Sequence, residues 1–131
     1  MTRLALALLL GLLAPCTWAQ DEVCEPADPV RAENRDGTVL TAMTECASPG
    51  LRRHVATLTC EAGRVCDRLE LTQEVAYNRM GHVDLVDLDQ DGMYEVEVRG
   101  MCGAGLNCEG DVYRIDPATR TLQHFFSGGY Y

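Results

Sequence analysis

Three features of the sequence predict an all-β protein. Beyond the first twenty residues, no run of about a dozen or more shows the 3.6-residue apolar period of a helix. Short stretches alternate apolar with polar residues instead, as half-buried strands do. Turn formers separate them: the 131 residues include 12 Gly and 5 Pro, among them Asp-Gly and Asp-Pro pairs. The expectation is a small antiparallel sheet or sandwich of six to seven short strands.

Residues 1–19 read as a signal peptide and are set apart from the fold. Arg3 gives a short positive start, residues 4–13 form an apolar run, and Thr17 and Ala19 place small residues at the −3 and −1 positions of a cleavage site. A bilayer span needs about 20 apolar residues, roughly twice this run. A lipid-attachment site at Cys16 is the alternative, with Pro15 standing where such a site expects a small residue. Cleavage after Ala19 removes Arg3 and Cys16, leaving six cysteines and a charge one unit more negative than the −9 of the whole chain. The expected location is periplasmic or secreted.

Residues 20–37 are acidic, carry Pro26 and Pro29, and read as an irregular arm tied down by Cys24. A single β domain is expected over residues 38–131. Within it, strand signals follow residue 38 and recur at 54–60, 65–72, 82–88, 94–99, 111–115 and 121–126. Residues 61–64 and 116–120 supply turns, and 73–80 reads as loop or a short helical turn. Toward the C-terminus, Phe125 and Phe126 read as core, with Tyr130 and Tyr131 loose at the end. The other reading is an aromatic contact patch that also includes Tyr113.

The six cysteines favour disulfides in an exported chain. Cys60 and Cys66 flank a turn between strands, Cys102 and Cys108 flank a Gly-rich turn, and Cys24 and Cys46 pair by elimination. Two C-x5-C pairs also suggest zinc, although structural zinc sites use tighter spacing.

The chemistry sits in residues 87–95. Asp87, Asp89 and Asp91 alternate, followed by Gly92, Met93 and Glu95: D-x-D-x-D-G-x-x-E. A hard cation such as Ca2+ takes six to eight oxygens, and alternate side chains on a curling loop converge on one point. The expected ligands are the Asp87, Asp89, Asp91 and Glu95 carboxylates and the Met93 carbonyl. Val98 stands where an EF-hand needs its bidentate Glu, and the flanks are strand-like, so the loop is not an EF-hand. The competing reading is a solvated acidic turn.

The segment VDLVDLDQDGMYEVEV, with the later VYRIDPATRTLQHF, resembles secreted bacterial β-proteins carrying integrin-α-like, FG-GAP-type calcium loops. The second stretch also resembles a subset of periplasmic proteins, some of which inhibit lysozyme-like peptidoglycan hydrolases. The resemblance covers residues 81–126. It implies a strand–loop–strand calcium hairpin with the ligands already named, and a protein partner, a basic peptidoglycan hydrolase. The chain is too short for a propeller.

Composition excludes other classes. The 11 basic residues are all Arg and are outnumbered by 20 acids, so phosphate binding and nucleic acid are unsupported. His54, His82 and His124 lie outside any H-E-x-x-H spacing, and no G-x-S-x-G or P-loop occurs. His54 reads as an exposed polar residue, and His82 as a possible neighbour of the acidic loop. The protein is expected to be a non-catalytic binder of another protein, or a structural envelope module in which calcium only stabilises the fold.

Overall fold

The computed structural model describes residues 24, 26–74, 82–102 and 108–130. The signal-peptide and Cys16 readings lie outside these residues, as does most of the segment read as loop or helical turn at 73–80.

The fold is all-β, with eight strands in two antiparallel sheets of four. In chain order these are β1 (Ala27–Glu33), β2 (Val39–Ser48), β3 (Leu51–Thr59), β4 (Val65–Glu74), β5 (Val83–Val86), β6 (Glu95–Cys102), β7 (Cys108–Asp116) and β8 (Thr121–Tyr130). Each sheet is a meander, in the orders β1-β2-β3-β4 and β5-β6-β7-β8. The chain passes from one sheet to the other between Glu74 and Val83.

The sheets close on one shared core. Leu40 and Ala42 from β2 and Ala56 and Leu58 from β3 meet Val83, Val96, Val98, Ile115 and Leu122 from the second sheet. The period-2 alternation of β2 explains its share, since Leu40, Ala42 and Thr44 are buried and their neighbours are only partly covered. Fully burying a side chain such as Leu58 contributes about 1.5–3 kcal/mol.

Three expectations change. The segment read as an irregular arm contains β1, an edge strand paired with β2. Pro29 hid it: proline cannot donate to a ladder, and the register shifts between Ala27 and Val30 to accommodate it. His54 is not exposed but 1% accessible, because β3 alternation turns it inward with Arg52 and Ala56. There Thr44 Oγ1 lies 2.9 Å from its Nδ1 and Gln73 Oε1 2.6 Å from its Nε2. Gln73 Oε1 can only accept, so Nε2 carries the proton and Nδ1 accepts from Thr44. Phe125 and Phe126 are not core but 55% and 46% exposed. They lie on the edge strand β8, where a bulge adds Phe125 between the pairs Tyr113↔His124 and Val112↔Phe126.

Cys24 and Cys46 are disulfide-bonded at a Cα separation of 5.7 Å, and Cys60 and Cys66 at 5.9 Å, within the range a disulfide spans. Cys102 and Cys108 are register partners across β6 and β7. Their side chains, and so the third expected disulfide, lie outside what is described. Among the described residues no helix is long and apolar enough to cross a membrane.

Candidate functional site

The acidic motif forms the connection between β5 and β6. The last pair of that hairpin is Val86↔Glu95, so residues 87–94 make the loop and Glu95 opens β6. Two left-handed residues turn the chain, Gln90 at φ 56° and Gly92 at φ 83°. Gly92 is required twice over. Its φ disfavours a side chain, and a Cβ there would meet Arg35 Cβ at 3.1 Å.

The loop carboxylates bind the loop's own amides. Asp87 accepts from the Gly92 N–H (2.9 Å) and the Asp91 N–H (3.2 Å), and Glu95 accepts from the Leu88 N–H (3.1 Å). Asp91 Oδ1 accepts from the Met93 N–H at 2.8 Å. The β1–β2 turn holds the loop from the opposite sheet. The Arg35 N–H donates to the Gly92 carbonyl (2.9 Å), and the Tyr94 N–H donates to Asn34 Oδ1 (2.7 Å). Asn34 is itself buried, and its amide donates to Thr38 Oγ1.

Of the five expected ligands, the fold brings three together. One carboxylate oxygen from each of Asp87, Asp89 and Glu95 lies within 4.8 Å of the others. Asp91 is outside that trio, with Oδ1 turned to Met93. The Met93 amide is the main influence holding Asp91 below the usual carboxylate range. Partial desolvation by neighbouring atoms opposes it, and side-chain hydrogen bonding to Asp89, the Arg35 charge and hydrogen bonding to Asp87 reinforce it. Met93 packs its side chain against the core. His82 does not join the acidic trio; its carbonyl accepts from the Arg99 N–H.

Glu95 is the unusual member, buried to 1% accessibility. Burial pushes its pKa up. The Leu88 amide opposes this, Asp89 adds to it, Arg114 opposes it and Asp91 adds to it, leaving Glu95 above the ordinary carboxylate range. Arg114, on β7, is the charge that sequence reading missed. Its Nη2 lies 3.5 Å from Glu95 and 3.7 Å from Asp89, and its guanidinium stacks 3.8 Å from the Phe125 ring centroid. Nothing near Arg114 in the sequence signals this role, because the approach depends on the β6–β7 register.

A cavity of about 370 Å3 adjoins the loop, lined by Arg35, Asp91, Met93, Glu95, Arg114 and Pro117 among others. A second polar cluster occurs on β7 and β8. His124 Nε2 lies 3.1 Å from Asp111 and 2.7 Å from Ser127 Oγ, and Ser127 also donates to Asp111. Both partners meet the same ring nitrogen. A Ser-His-Asp relay needs them on opposite nitrogens, so this trio is not arranged as one.

No protein-family model, curated protein or solved structure matches the chain. Chemically, three convergent carboxylate oxygens are donors that suit a hard cation better than a transition metal that prefers thiolate or imidazole. Further oxygens would have to come from Asp91, backbone or water. Arg114 offers the same carboxylates a positive charge of its own.

Proposed function

We propose that this is an exported, non-catalytic protein that takes Ca2+ in the 87–95 loop and binds another protein, a basic peptidoglycan hydrolase being the partner class. The observation that carries the metal part is the convergence of Asp87, Asp89 and Glu95 with Glu95 buried. A buried carboxylate pressed against two others is relieved by a cation. The FG-GAP-type resemblance of residues 81–126 supports the same reading. The partner reading is supported by the resemblance to periplasmic hydrolase inhibitors and by the formal charge of −9, which steers a basic partner inward.

A second reading has its own support. The loop is bonded to the β1–β2 turn through Arg35 and Asn34, so an ion there would clamp the two sheets together. In that reading calcium is structural and the protein is an envelope module.

One measurement tests the calcium that both readings share, and a second separates them. The purified protein should melt higher in millimolar Ca2+, EDTA should reverse the gain, and Asp89→Ala should abolish it. An unchanged melting curve would leave only the acidic turn. Inhibition of lysozyme-like hydrolases would support the binding role. Failure across several such enzymes, with calcium stabilisation intact, would favour the structural module.

A further inference from the structure

The cavity of about 370 Å3 beside the acidic loop draws its walls from both sheets. The β1–β2 turn forms one side. The β5–β6 loop, the end of β7 and the turn after it form the other. Backbone bonds hold these walls in place. The Arg35 N–H donates to the Gly92 carbonyl at 2.9 Å, the Tyr94 N–H to Asn34 Oδ1 at 2.7 Å, and the Arg120 N–H to the Asp116 carbonyl at 2.8 Å. A preformed space of this size is in the range of small-molecule pockets.

Two arginines line the cavity, one from each sheet, and the hydrogen-bonding capacity of both is largely unspent. Among the described residues, none forms an ion pair or side-chain hydrogen bond with the Arg35 guanidinium, whose charge acts on Asp91 through space. Arg114 approaches Glu95 and Asp89 only to 3.5 and 3.7 Å, longer than a good hydrogen bond, and its Nε is buried without a partner. Carboxylates line the cavity as well. Asp36 takes both the N–H and the hydroxyl of Thr38 on Oδ1, which leaves Oδ2 uncommitted. Met93, Tyr94, Ile115 and Pro117 supply apolar wall.

We propose that this cavity binds a small zwitterion of the amino-acid class with an apolar side chain. The mixed charge of the lining selects that ligand. Guanidinium groups suit a carboxylate, which accepts from their forked donors. A ligand that is only an anion would also face Asp36, Asp91 and Glu95, and a ligand that is only a cation would face both arginines. A molecule that carries a carboxylate and an ammonium a few bonds apart meets charges of both signs favourably. Its side chain lies against the apolar wall, as in most small-molecule sites. This inference goes beyond the calcium reading, since of the three convergent carboxylates only Glu95 lines the cavity.

The test is isothermal titration calorimetry of the purified protein with L-leucine, L-methionine and L-phenylalanine, with EDTA present throughout. At least one should bind with a Kd of about 1 mM or tighter. For that ligand, the amide, which lacks the carboxylate, and the N-acetyl derivative, which lacks the ammonium, should each bind roughly tenfold more weakly or worse. Arg35→Ala keeps the backbone N–H that bonds Gly92 and should weaken binding roughly tenfold. Arg31→Ala removes the same charge at an exposed position of β1 outside the cavity and should leave binding unchanged. Circular dichroism and melting curves report whether each variant stays folded, and Arg35→Gln replaces Arg35→Ala if that variant does not. Binding of none of the three amino acids overturns the proposal. So does equal binding of the blocked derivatives, an affinity that the Arg35 variant leaves unchanged, or one that Arg31→Ala lowers as much. Because EDTA is present, these outcomes are independent of whether calcium raises the melting temperature.

Discussion

Replacing Arg114 with Met keeps most of the apolar stem and removes the guanidinium that faces the acidic loop. The two ion pairs it loses differ in weight. Asp89 is about half exposed, so its 3.7 Å pair contributes about 0–1 kcal/mol. Glu95 is buried, and leaving it without its 3.5 Å cation costs about 1–3 kcal/mol. The stacking on Phe125 adds roughly 0.5–1 kcal/mol at this exposure. A loss of about 2–3 kcal/mol in EDTA is expected, or roughly 10–20 °C in melting temperature for a domain of this size. On the calcium reading proposed above, the ion competes with Arg114 for the same oxygens. Calcium at a hundredfold excess over Kd contributes about 2.7 kcal/mol by mass action, and the variant should gain more than the parent. Thermal melts of both proteins in EDTA and in millimolar Ca2+ therefore form a cycle, and the gap between them should narrow with calcium. A gap of equal size in both conditions would show that ion and guanidinium do not share a site. No gap in either would show that the ion pairs contribute nothing.

Three further outcomes are expected. His54 is held below its ordinary value of 6.5 chiefly by burial; the Gln73 hydrogen bond opposes this, and the Arg52 and His82 charges reinforce it. The unfolded chain then binds the proton first, so stability is full above about pH 6.5 and falls on acidification, by up to about 1.4 kcal/mol per pH unit. Urea titrations between about pH 5 and 7 should show that slope, and His54→Gln should flatten it. Asn34→Ala leaves the Tyr94 N–H without its acceptor and removes the Thr38 contact, which should cost about 2–4 kcal/mol in denaturant unfolding; a loss below about 0.5 kcal/mol would mean that water replaces the bond. Cys24→Ser with Cys46→Ser opens a ring of sequence separation 22 and should cost roughly 3.4 kcal/mol in the chain-entropy model. An unchanged unfolding midpoint after the double substitution would show that strand pairing alone anchors the N-terminal end.

Most strands were legible because a pleat writes its period directly into the sequence. Residues 121–126 fall within β8, and residues 94–99 overlap β6, with Val96 and Val98 turned to the core as the alternation predicts. β1 was not legible, since Pro29 and scattered charge mask an edge strand that buries little. His54 misled for the opposite reason. A histidine beside two arginines looks solvated, and only Thr44 and Gln73, on β2 and β4, make its burial tolerable. Phe125 and Phe126 misled because sequence does not show that β8 is an edge strand or that a bulge interrupts its pleat.

Local sequence pattern accounts for the all-β class, the Cys60–Cys66 pair across its turn, and the position of the acidic loop between two strands. These are local properties: alternation, turn chemistry and short-range spacing act within one or two neighbouring segments. Tertiary structure alone decided which carboxylates converge and what faces them. Asp87, Asp89 and Glu95 meet because the Val86↔Glu95 register sets the loop length, while Asp91 turns to its own backbone. Arg114 reaches them through the β6–β7 pairing, and Asn34 arrives from the other sheet. Those partners are long-range contacts, fixed by how the sheets pair and stack, and no local pattern in the sequence specifies them.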